Sequence, residues 1–140
     1  MTWVLGPVTV MNNVFARTSS NCLLCVQDNA LHRSAATIGV TADGNIYNRP
    51  SATNPSWLVV WANGGTNPSV FTSLKAFTAA TGQDVHSAEY TGAPVVNAAG
   101  KAAAALSAVT APTGQPIPAS IASLIGPDAQ TGPHIGAWLG

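Results

Sequence analysis

Charge is what this sequence has least of. Charged residues make up 7% of the 140, with Lys plus Arg at 5, Asp plus Glu at 5 and a formal net charge of zero. An average globular chain carries ~25% charged residues. No basic field is available to draw in nucleic acid or an anionic membrane surface, so neither is an expected partner. A neutral, charge-poor surface also disfavours a solitary soluble chain and favours one covered in an assembly. Long apolar runs are missing too. None approaches the ~18 residues of a membrane span. The start, "MTWVLGPVTV", places no Lys or Arg ahead of its apolar part. A secretory leader is therefore not expected, and these first residues read as strand.

The reactive inventory is equally thin. The acids are Asp28, Asp43, Asp84, Glu89 and Asp128, and the histidines are His32, His86 and His134. No HxH or HExxH spacing, phosphate loop, nucleophile elbow or triad pattern occurs, so neither a metal nor another cofactor is expected. A glycosidase needs two facing carboxylates, and a lyase needs a base beside the sugar. Asp28 with Arg33, or Asp84 with Glu89, are the pairs that proximity in sequence offers. The spacing of neither demands catalysis. Asp43 in "TADGN" reads first as a turn residue. Cys22 and Cys25 form one CxxC with Leu23 and Leu24 between them. In a strand, side chains three apart point to opposite faces. Two reduced, buried cysteines are expected, since a bridge would require the strand to break.

What the sequence has in plenty is small residues and turn-formers: 24 alanines, 13 glycines and 10 prolines. They favour short elements and close layers. It also writes one phrase twice. Asn13, Val14, Phe15 and Arg17 match Asn45, Ile46, Tyr47 and Arg49 at an offset of 32. Leu23 to Val26 match Leu58 to Trp61 at an offset of 35. The slip of three falls where the second copy inserts "NPS", as a turn insertion between two fixed strands would. Repeats of strands at a near-fixed period argue for a solenoid. The runs "CLLCV" and "WLVVW" lack clean alternation, consistent with burial on both faces. Asn13 and Asn45 hold one place in each copy. There, stacked side chains would bond to each other and satisfy the amides of a bend; two unrelated turn asparagines are the alternative.

Downstream, "FTSLKAFTAATG" predicts a helix near 73–81, with Thr72 as cap, Leu74 and Phe77 on the apolar face and Gly82 beyond the end. "APVVNAAG" at 93–100 reads as a strand and a turn. From Lys101 the chain is Ala-rich, then Pro-rich, with a short helix expected near 118–125. Residues 1–100 are thus read as the coils and 101–140 as a C-terminal arm that caps the stack or wraps a neighbouring subunit.

Ser73, Leu74 and Phe77, then Thr81-Gly82-Gln83-Asp84 with Ser87, then Pro94-Val95-Val96-Asn97, resemble the closing segment of right-handed parallel β-helix proteins of the pectate-lyase-like family. The ending "HIGAW" at 134–138 looks like theirs, and "NNVF" and "GNIY" look like their coil bends. The resemblance implies an all-β fold: a short right-handed parallel β-helix with one short helix and an extended arm. It implies that Asp84 belongs to a structural turn. The family holds polysaccharide lyases, glycoside hydrolases and bacteriophage tail or tailspike proteins. A few coils are too short for an active groove. The expectation is therefore a structural or interaction module of a virion, with other virion proteins and host surface glycans as contacts. A homotrimer is expected by analogy with tailspikes. The alternatives are the C-terminal part of a lyase or hydrolase, secreted or on the cell surface as part of a longer chain, and a stand-alone carbohydrate-binding module. Trp57 and Trp61, four apart in a strand, with Tyr47 near them, form a glycan platform or interface if they face outward and core if inward. Arg17 and Arg49 would bind a carboxylated sugar or a partner's acid, unless they are solvated edge residues.

Overall fold

The computed structural model describes residues 6–16 and 21–97, together with residues 115, 116, 119 and 123. Arg17, Asp128, His134 and the remainder of the expected arm lie outside the described residues. So does most of the helix expected near 118–125, of which Ala119 and Ser123 are described, both helical.

Three strands come first: β1 (Val8–Met11), β2 (Val14–Ala16) and β3 (Cys22–Val26). After a one-turn helix α1 (Ala35–Ile38), the succession recurs as β4 (Val40–Asp43), β5 (Ile46–Arg49) and β6 (Trp57–Trp61). Each strand of the second set lies parallel to its counterpart in the first. Val14 pairs with Ile46 and Phe15 with Tyr47, while Leu24 pairs with Val59 and Val26 with Trp61. The offsets of 32 and 35 written in the sequence are therefore the registers of these two sheets. Then come β7 (Ser69–Phe71), the helix α2 (Leu74–Thr81) and β8 (Ala88–Thr91). β8 extends the second sheet in parallel beside β5, whereas β7 closes the third antiparallel to β6. Among the described residues the chain is mostly β, its strands forming one two-stranded and two three-stranded sheets beside α1 and α2, with no barrel.

The bends have a local cause. Asn12 and Gly44, 32 residues apart, both sit in the left-handed region (φ 57° and 66°), which few residues besides Gly and Asn enter cheaply. Each helix is bounded by its own sequence. Ser34 and Ser73 accept N–H bonds from Thr37 and Ala76, and Gly39 and Gly82 turn left-handed at the far ends. The cap of α2 is thus Ser73 and not Thr72. The Thr72 carbonyl instead accepts a bond from Arg49. Residues 93–97 form no strand. Val95 is fully buried there, and its N–H donates to Asn48 Oδ1 at 3.0 Å.

Burial rises from the first strand set to the second. β1 and β2 hold no buried residue, while all of β5 and Leu58–Trp61 of β6 are buried. Phe77 of α2 is fully buried against Trp61 and Phe71, its ring centroid 5.1 and 5.3 Å from theirs and edge-on to both. Phe15 stacks on Tyr47 at 5.2 Å. The cysteine expectation is corrected: Cys22 and Cys25 form a disulfide, and their Cα atoms are 6.1 Å apart. Three extended steps would cover about 10 Å, so the strand bends between them. Leu23 and Leu24 are both buried there.

Replacing Phe77 by Ala should therefore cost about 3–5 kcal/mol, the range for deleting a fully buried ring. Urea unfolding followed through Trp61 fluorescence measures it. A loss under about 1 kcal/mol would mean that α2 does not seal the core.

Candidate functional site

The expected aromatic and basic site residues that are described, Tyr47, Arg49, Trp57 and Trp61, do not share an exposed surface. Tyr47 is wholly buried, and Trp61 is buried against Phe77. Trp57 is open to solvent at 43%. The two tryptophans thus do not make one exposed platform. Arg49, read as an edge or ligand-binding residue, is buried at 2% and committed inside the fold. Its Nη2 donates to Glu89 Oε1 at 2.5 Å and to the Thr72 carbonyl at 2.6 Å, and its Nη1 donates to the Pro55 carbonyl at 3.2 Å. Among the described residues its Nε has no hydrogen-bond acceptor. Glu89 does double work, since its other oxygen accepts the Leu74 N–H at the start of α2. A carboxylate at that end meets the positive pole of the helix dipole. The ion pair therefore locks β5 to β8 and fixes where α2 begins.

Asn13, Asn45 and Asp84 form a connected column. Asn45 Oδ1 accepts the Asn13 N–H at 3.0 Å and the Asn13 side-chain amide at 3.1 Å. Asn45 Nδ2 donates to the Val10 carbonyl and to Asp84 Oδ1, at 3.0 and 2.8 Å. Asp84 also accepts from the Tyr47 hydroxyl at 2.6 Å and from the Ser87 hydroxyl. Burial first, then the Asp84 charge and the hydrogen bond to it, push the Tyr47 phenol far above its ordinary value. Ser87, in turn, accepts the Asn45 backbone N–H at 2.7 Å. Because Ala88 pairs with Ile46, Ser87 holds in the third layer the place that Asn13 and Asn45 hold in the first two. Sequence reasoning missed this role, since Ser replaces Asn and the spacing stretches to 42. Gln83 was missed as well. Its Oε1 accepts the Ala42 N–H at 2.8 Å and the Asp84 N–H donates to the Ala42 carbonyl, so the turn after α2 covers the free edge of β4.

Two side-chain pairs lie nearer the surface. His86 Nδ1 is 2.7 Å from Asp43 Oδ2, and the His86 N–H donates to Asp43 Oδ1 at 2.8 Å. Partial burial opposes the Asp43 charge, but these bonds and the Gly44 N–H outweigh it and hold the carboxyl below its usual range. Arg33 Nε donates to Asp28 Oδ2 at 2.5 Å, and the Leu31 N–H donates to Asp28 Oδ1. Around them Gln27, Asn29, His32, Ala62, Thr66 and Pro68 line a small cleft. Asp84 and Glu89, weighed as a facing pair, are each taken up by their own partners. Among the described residues no three His, Cys, Asp or Glu side chains converge to hold a metal, and no helix is long and apolar enough to cross a membrane. The arrangement of Asn13, Asn45, Asp84 and Ser87 ties the layers together.

No protein-family model, curated protein or solved structure matches this chain.

The Arg33 bond, helped by the Leu31 N–H, lowers the Asp28 pKa from 3.8 to about 2. A depressed carboxyl stabilises the fold above its unfolded pKa, and that contribution disappears as the pH falls through the folded one. The Asp28 contribution should therefore be complete above pH 3.8 and lost as the pH falls through about 2. Carboxyl titration by NMR should find the Asp28 midpoint near 2, and Arg33→Gln should return it towards 3.8. A wild-type midpoint near 3.8 would mean that the pair does not form in solution.

Proposed function

We propose that the two strand sets are successive coils of a short right-handed parallel β-helix. On this reading the chain works as a structural and interaction module of a larger assembly, a bacteriophage tail or tailspike-like virion protein. The observation that carries it is the inequality of the two ends. At the far end α2, the antiparallel β7 and the turn at Gln83 and Asp84 cover the core and the β4 edge. At the near end β1, β2 and β3 have a strand neighbour on one side only among the described residues. Unpaired strand edges recruit other chains unless they are guarded. The scarcity of charge, and the resemblance of residues 73–100 to the closing segment of right-handed parallel β-helix proteins, a family that includes tailspikes, support the same reading.

Against an enzyme fragment stands the condition of the acids. Asp28, Asp43, Asp84 and Glu89 each hold partners within the fold. Of the four described residues considered for glycan or interface contact, Trp57 is the one whose side chain is exposed, and it is where contact with a host surface glycan would begin. Sister chains would cover the remaining surface, and three is the number that the resemblance suggests.

Light scattering on the purified chain should return three times its 14.2 kDa, down to low micromolar concentration. A monomer at 14.2 kDa throughout that range would contradict the assembly reading.

A further inference from the structure

We propose that the Cys22–Cys25 disulfide is a thiol–disulfide exchange site. A small thiol in the surroundings opens it on the folded chain, and Leu23 then joins the ladder between β3 and β6. The exchange does not depend on the assembly proposed above.

The bridge is poorly placed to serve as a staple. A disulfide stabilises a fold largely by restricting the unfolded chain, and more so the longer the loop it closes. This one encloses Leu23 and Leu24 alone, so that gain is small. It also joins two positions that the ladder to β6 already holds, since Cys22 pairs with Trp57 and Cys25 with Val60. A defect accompanies it. Cys22, Leu24, Cys25 and Val26 all pair with β6 at an offset of 35. Leu23 stands opposite Leu58 at that same offset, yet these two are not a ladder pair. The gap falls inside the bridge, where the Cα atoms of Cys22 and Cys25 are drawn to 6.1 Å. The register is the same on both sides of the gap. Opening the bridge therefore lets Leu23 pair with Leu58 without any slip of the strand.

Access to the two cysteines is uneven. Cys22 is 7% exposed, while Cys25 is open to solvent. A thiolate arriving from solvent therefore meets Cys25 Sγ. It forms a mixed disulfide there, the Cys22–Cys25 bond breaks, and the electron pair leaves on Cys22 Sγ, which takes up a proton. A second thiolate attacks the mixed disulfide on the sulfur of the first thiol. Cys25 leaves with that electron pair and is protonated in turn. The two thiol molecules depart joined as their own disulfide. They have lost two electrons and two protons, and the cysteine pair has gained them. Exposed disulfides of this kind are the labile ones.

The probe is reduced glutathione, a monothiol, added to the purified full chain under native conditions. Samples taken over time are quenched with N-ethylmaleimide and weighed by mass spectrometry. Both cysteines should become alkylated together, at a rate proportional to the glutathione concentration, and the trapped mixed disulfide should map to Cys25. Amide exchange at Leu23 and Leu58 should slow several-fold on reduction. A double variant, Cys22→Ser with Cys25→Ser, should melt within a few degrees of the oxidised chain and show the same slowed exchange with no thiol added. A reduction rate that ignores glutathione concentration and equals the unfolding rate would overturn the proposal, because the bridge would then open only in the unfolded chain. A double variant that fails to fold would overturn it as well, by making the bridge a staple. Loss of protection along β3 on reduction, or two alkylatable thiols in protein purified in air, would count against it equally.

Discussion

One buried side chain holds three layers in register. Asn45 is fully buried, and every hydrogen-bonding group of its amide is used. Its oxygen takes two bonds from Asn13 above, and its nitrogen gives one to Val10 above and one to Asp84 below. Its backbone N–H and carbonyl reach Ser87 and Ala88 of the third layer. A buried polar group left unpaired costs about 1–3 kcal/mol, so an arrangement that satisfies all of them tolerates almost no displacement. A slip of one residue in β5 would break the column and turn every side chain of the strand to the other face. Asn45 therefore specifies register, where the apolar residues around it supply the bulk of the stabilisation.

The far end depends on a second polar device. Strand layers this short have little core each, and the last must be closed by something other than a further layer. Here Phe77 plugs the interior, while Glu89 joins Arg49 to the first turn of α2. Removing one partner of a buried ion pair is costly, which ties the seating of the helix to the pairing of β5 with β8. The seal and the stack are thus one structure. At the near end β1, β2 and β3 have one strand neighbour each among the described residues, and the Asn12 side chain exchanges two hydrogen bonds with the Gln115 backbone, both at 2.7 Å.

Much of this was legible in the residue order, and the failures are physically informative. The offsets of 32 and 35 named the registers of β2 with β5 and of β3 with β6, because the paired strands carry similar side chains at the same places. The helix appeared within one residue of its bounds, because Leu74, Phe77 and Gly82 are local signals. The third layer was not legible. Its spacing is 42, Ser87 stands for the asparagine, and Glu89 and Tyr90 do not look like a buried strand. Arg49 was read as an edge residue because its partner Glu89 lies 40 residues away, and only the stacking of layers brings them together. Trp57 and Trp61 were given one face on the rule of alternation, but a residue at the mouth of β6 escapes the burial of the rest. The disulfide was missed for the same reason: a straight strand forbids it and a bent one permits it.

The central claim is that the Asn45 amide, more than the apolar contacts beside it, fixes the layers against one another. Guanidinium unfolding of an Asn45→Ala variant, followed by amide exchange under native conditions, tests this most directly. The account predicts a loss of roughly 3 kcal/mol or more, since groups on both Asn13 and Asp84 lose their partner. Protection should fall together in β2, β5 and β8. A loss below about 1 kcal/mol, with exchange raised only at residues beside position 45, would contradict it.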